Sequence, residues 1–167
     1  MTQKEDQVWF ITGANKGLGA AIAKEALDRG YKVVATARNP KSAGEILGNF
    51  PNLLIVKLDI TDDEQVQSAV RAALGRFGRI DVLVNNAGYA LLGFFEETSE
   101  KLIRQEIETN VFGTMKSDSR RAAVHAQAGF RSSNRYQFRV RNQGCWRLIH
   151  VQRLQIRTGR LDRRPEH

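Results

Sequence analysis

Residues 12–19, TGANKGLG, stand between an apolar run and a run with helical spacing, and this placement restricts the fold more than any other feature of the chain. QVWFIT (7–12) is a short apolar run that ends on a turn, which suits a strand buried on both faces. AAIAKEALDRG (20–30) carries Ala and Leu at helical intervals and stops at Gly30, a natural C-terminal cap. A strand that enters a helix through closely spaced glycines is suited to holding a dinucleotide. Gly13 allows the tight exit from the strand, and Gly17 lets the backbone approach a pyrophosphate. Gly19 lets the helix pack closely, with its N-terminal N–H groups facing the phosphates. Asn15, Lys16 and Leu18 complete the turn.

The pattern then repeats. YKVVATA (31–37) is a second strand, followed after Asn39 and Pro40 by a short helix over 42–47. NLLIVKLDI (52–60) is a third strand, and 63–78 is an amphipathic helix with Val66, Val70, Ala73, Leu74 and Phe77 on one stripe. IDVLVNNAG (80–88) is a fourth strand, and 98–115 a helix with Thr98 or Ser99 as N-cap. Strands alternating with helices of these lengths require right-handed crossovers and a parallel sheet. The predicted fold is therefore α/β, a Rossmann-like doubly wound parallel sheet. After Met115 the pattern stops. No run of four apolar residues follows and arginines interrupt every candidate period, so the sheet is expected to end after about four strands. The predicted organisation is a dinucleotide-binding region over 1–116 and an irregular basic tail, not a domain, over 117–167.

Charge divides at the same place. Of the net +8, residues 1–116 carry 14 Lys+Arg against 15 Asp+Glu, while 117–167 carry 12 Arg, no Lys and 3 acids. A basic total would point to nucleic acid. Its confinement to the tail makes nucleic acid an unfavoured partner for the first 116 residues. A single cysteine, Cys145, excludes a disulfide framework, and the N-terminus lacks the basic flank and apolar run of a secretory signal. A cytoplasmic setting is expected. No apolar stretch approaches the roughly 20 residues that span a bilayer.

The glycine turn, Asp59 closing the third strand, Asn85-Asn86-Ala87-Gly88 closing the fourth and Asn110 in the next helix together resemble the short-chain dehydrogenase/reductase family over residues 7 to about 116. The resemblance implies NAD(P)(H)-dependent hydride transfer on a small carbonyl or alcohol substrate, usually by a homo-oligomer. It implies that Asp59, beside Ile60, holds the adenine amino group, that Asn86, Ala87 and Gly88 stabilise the sheet beside the cofactor, and that Asn110 anchors a water in the proton relay. Charge predicts which cofactor. An acid after the second strand would accept from a ribose 2′-hydroxyl, whereas a base pairs with a 2′-phosphate. Arg38 stands there, with Lys16 in the turn, so NADP(H) is favoured over NAD(H).

The resemblance also implies a serine and a tyrosine followed four residues later by lysine. A nearby fixed cation is what lowers a tyrosine pKa from about 10. Four residues after Tyr31, Tyr89 and Tyr136 come Ala35, Gly93 and Val140, and Ser132 and Ser133 follow no predicted strand. The motif is missing, and inactivity of the chain as written is expected. A reading-frame shift accounts for the break. If residues 116–118 were encoded AAA-AGT-GAC, reading one base later gives Lys-Val-Thr, and the tail can then encode strings containing ISS and YSASK. These compatible strings place serine opposite Phe138, tyrosine opposite Val151 and lysine opposite Gln155. A shifted frame also explains twelve arginines without a lysine. With the parent strands lost, the fourth strand is expected to be an open edge prone to aggregation. Two alternatives stand beside this account, a nucleotide-binding module without catalysis and a protein whose Arg-rich tail binds RNA.

Overall fold

The computed structural model describes residues 6–117, 119, 131–142 and 145–155. Four parallel strands form the centre of the sheet: β1 (Val8–Thr12), β2 (Lys32–Ala37), β3 (Leu53–Lys57) and β4 (Val82–Asn85), in the order β3-β2-β1-β4. Three crossover helices join them, α1 (Gly17–Asp28), α2 (Pro40–Leu47) and α3 (Asp63–Phe77). The alternation predicted from sequence is thus the observed Rossmann-like arrangement. Strands β1, β2 and β4 are almost wholly buried, their polar residues Thr12, Thr36 and Asn85 included, because both faces are covered. Successive side chains point to opposite layers. Ile11, Val33, Ala35, Val82 and Val84 pack with α1 and α2, while Phe10, Val34 and Leu83 pack with α3.

Local chemistry sets the element boundaries. Asn39 caps α2 through Lys41 N–H, and Pro40 takes the first helical position, where its missing donor is harmless. The Asp62 carboxylate accepts from Gln65 N–H to start α3, and Gly78, at φ 75°, ends it. Ser99, rather than Thr98, caps α4 (Glu100–Ile107), while Thr98 turns back to the Phe94 carbonyl. At the end of the sheet away from the glycine turn, buried Asp81 accepts from Val8 N–H at 2.8 Å and takes a bidentate contact from Arg79. Together with the backbone bond from Asp81 N–H to Val8 O at 2.9 Å, this ties the start of β4 to the start of β1.

Two features differ from the sequence expectation. The helix predicted over 98–115 is α4 followed by a π-helical segment, Glu108–Gly113, before α-helical bonding resumes over 114–117. The sheet also continues past the predicted irregular tail. Strand β5 (Arg131–Asn142) pairs antiparallel with β6 (Cys145–Gln155), and β6 pairs antiparallel with β4, with Val84 opposite Val151. The β4 edge is therefore covered, not open as expected. Tyr136, Phe138 and Val140 alternate with Gln137, Arg139 and Arg141, a two-residue period that a search for continuous apolar runs passes over. Residues 120–130 and 156–167 of the expected tail lie outside the described residues. Among the described residues no helix is long and apolar enough to cross a membrane.

Candidate functional site

The strand order reverses between the parallel neighbours β1 and β4, because β1 connects outward to β2 on one side and has β4 on its other. A crevice opens at the carboxyl ends of the strands at such a point. Its floor is one hydrogen-bonded knot. The Thr12 hydroxyl donates to Val84 O (3.3 Å) and accepts from the N–H groups of Asn86 (3.0 Å) and Ala87 (2.9 Å). The Asn86 side-chain amide donates back to Thr12 O and Gly13 O, both at 2.9 Å. The exits of two strands are thus held as one rigid unit.

The glycines divide into two classes. Gly13 and Gly19 are required by contact: a Cβ on Gly13 would lie 2.9 Å from Ala87 Cα, and one on Gly19 would lie 2.3 Å from both Asn86 Nδ2 and Gly13 O. Gly17 has nothing within 4 Å of a Cβ position, yet its φ is 54°. It opens α1 onto free space in front of the turn. Lys16 is the N-cap of that helix with no side-chain cap bond, and the first turn holds no acid. The leading N–H donors of α1 therefore face outward with the positive end of the helix dipole, an arrangement that attracts an anion.

In front of this turn lies a cleft of about 550 Å³, within the range of roughly 300–1,000 Å³ usual for small-molecule sites. Gly13, Asn15, Lys16, Arg38, Asp59, Ile60, Asn86, Ala87 and Gly88 all line it. Gly17, Leu18 and Gly19 are not in the lining itself: Gly17 is exposed at the start of α1, Leu18 packs on the α1 side of the core and Gly19 is buried. Lys16 and Arg38 are exposed and have no ion-pair partner among the described residues. Asp59 Oδ1 accepts from the N–H (3.0 Å) and the hydroxyl (2.7 Å) of Thr61, so the carboxylate is held at the wall by its own loop. Basic groups on one side, an oriented carboxylate on the other and free helix donors between fit a dinucleotide with a charged middle.

Asn110 lies outside the lining of the cleft, in the π-helical segment. Its amide donates to Tyr89 O at 2.7 Å and its carbonyl accepts from Tyr89 N–H at 3.1 Å, so it clamps the chain leaving β4, and Tyr89 itself lines the cleft. Sequence reasoning passed over Thr12, Thr61, Tyr89 and Glu108. A threonine ending the strand before a glycine turn was the available sign for Thr12; the others are visible only when distant segments meet.

A family model described as short chain dehydrogenase matches residues 7–124. The oxidoreductase BOA17 of Botryotinia fuckeliana is 41% identical over 111 residues, which are 65% of this chain and 40% of that protein. The 3-ketoacyl-(acyl-carrier-protein) reductase of Brucella melitensis, solved in complex with NADH, superposes with a TM-score of 0.69 at 31% identity, covering 76% of this chain and 55% of that one. A variant of ElxO with NADPH bound gives a TM-score of 0.66 at 33% identity, covering 73% of this chain and 51% of that one. The chain spans half or less of the length of the curated relatives it matches.

Proposed function

This chain belongs to the short-chain dehydrogenase family, and we propose that residues 7–116 are the NADP(H)-binding part of one of its oxidoreductases, joined to a tail that does not complete the catalytic set. The observation that carries the proposal is the pairing of an α1 N-terminus without a side-chain cap with two cations, Lys16 and Arg38, that line the cleft and have no ion-pair partner among the described residues. Gly17 and the leading N–H groups of α1 would take the pyrophosphate. Arg38 would take the 2′-phosphate, since the position after β2 holds a guanidinium fork and no acid. Asp59 would meet the adenine, and Asn110 would hold the segment bearing Tyr89 beside the nicotinamide end.

The bound cofactor would supply a hydride to, or take one from, a small carbonyl or alcohol substrate. The protein must supply the proton, and that requires an acid near the substrate oxygen whose pKa a neighbouring cation has lowered. None of the three tyrosines has a lysine four residues later, so the chain as written binds cofactor without turning over a carbonyl. We attribute the loss to a one-base shift of frame after Lys116, which makes the tail's arginines a property of codons.

The reversal of a single charge tests the assignment. In the full chain Arg38→Asp is expected to weaken NADPH binding by about tenfold or more, the scale of a lost charge-assisted contact plus a new repulsion, and to leave NADH within about threefold. Equal effects on both cofactors would remove Arg38 from the 2′-phosphate site. Measurable oxidation of NADPH by any aldehyde or ketone would contradict the proposed inactivity.

A further inference from the structure

Two contacts join the helix after β4 to the loop after β3, and both fall on the wall of the cofactor cleft. Gly113 packs so closely that a Cβ there would lie 2.8 Å from Ile60 Cγ1 and 3.1 Å from Ile60 O. One turn later the half-buried Lys116 Nζ donates to Thr61 O at 2.9 Å and to Glu108 Oε1 at 2.9 Å. Both partners line the cleft, Thr61 from the loop that orients Asp59 and Glu108 from the π-helical segment that carries Asn110. Without Lys116, an unpaired carboxylate would face a site built for a polyanion.

We propose that Lys116 is a positioning residue for the cofactor: it fastens the 59–61 loop to the Asn110 segment and cancels the charge of Glu108 at the cleft wall. This rests on the reading of the cleft as an NADP(H) site. The π-helical segment has a reason in this account. One extra residue in the helix brings the Asn110 side chain to Tyr89 while keeping Gly113 and Lys116 over residues 60 and 61. The charge contribution follows from Coulomb repulsion. It is larger for a ligand with an additional phosphate, so loss of Lys116 has to discriminate between the two cofactors.

The test titrates the 167-residue chain with NADPH and with NADH, read by nicotinamide fluorescence, with a melting curve for each variant. Lys116→Met is expected to weaken NADPH by about tenfold and NADH by about threefold. Adding Glu108→Gln to that variant recovers most of the NADPH loss, and Lys116→Arg stays within about twofold of wild type. A purely structural lysine would weaken both cofactors alike and would not be rescued by removing Glu108. Equal losses, or no loss in Lys116→Met, overturn the proposal while wild-type binding leaves the cofactor site standing. Failure of wild type to bind either cofactor overturns the site itself. Should Lys116→Met not fold, Glu108→Gln alone decides: it is expected to bind NADPH at least as tightly as wild type, and weaker binding contradicts the charge role.

Discussion

At the scale of single residues, Ser117 is the most informative position outside the cleft. It is buried, its hydroxyl donates to the Gly113 carbonyl one turn back and to no other group among the described residues, and a small apolar void of about 10 Å³ lies beside it among Phe10, Val66, Val70, Ile80 and Leu83. An apolar pocket holding a hydroxyl that finds only its own helix is a mismatch of side chain to surroundings. The one-base shift proposed after Lys116 would place valine at this position. Ser117→Val is therefore expected to stabilise the chain by about 1 kcal/mol, a rise in Tm of about 3 °C, measurable by calorimetry. A drop in Tm would show that the pocket is shaped for serine. The glycines were legible from sequence because only three spaced glycines permit that turn. Glu108 and Lys116 were not, because the role of Lys116 exists only across separations such as the 55 residues to Thr61.

At the scale of elements, periodicity predicted what periodicity controls. Strands buried on both faces and the α3 stripe were read from the sequence because burial imposes their pattern. The π-helical segment was missed, since one inserted residue changes the hydrogen bonding without erasing the apolar positions on either side. The β5–β6 pair was missed because alternating Arg and apolar residues do not resemble the continuous runs of the parallel strands. Caps make the element scale testable. The Asp62 carboxylate is held below its ordinary value of 3.8, first by the Gln65 backbone N–H and then by the Gln65 side-chain amide. A depressed carboxylate pKa contributes stability at neutral pH that is lost as pH falls through the folded-state value. Asp62→Asn keeps an acceptor at the cap and removes the titration. Wild type is thus expected to melt higher at pH 7, with the difference shrinking below pH 3.8; parallel curves from pH 7 to pH 3 would assign Asp62 no part in acid unfolding.

At the scale of the whole molecule, the chain joins the cleft proposed for the cofactor to a tail of different charge and pattern. Both helical layers of the core are filled over the first 116 residues, and the strand ends that carry Thr12, Arg38, Asp59 and Asn86 meet on one side of the sheet. On the helix after β4, by contrast, α4 has no buried residue, and Leu102, Ile107, Val111, Phe112 and Met115 remain 43–60% exposed. Charge and hydrophobic pattern both change at Lys116, with the whole excess of basic residues falling after it, and the change of reading frame proposed above would account for both. The central claim is that the first 116 residues form a working cofactor site, and it is tested most directly by equilibrium titration of the folded 167-residue chain with NADPH. The account predicts saturable binding with one site per chain, displaced by 2′-phospho-ADP-ribose. A chain that is folded by circular dichroism and shows no saturable binding up to millimolar NADPH would contradict it.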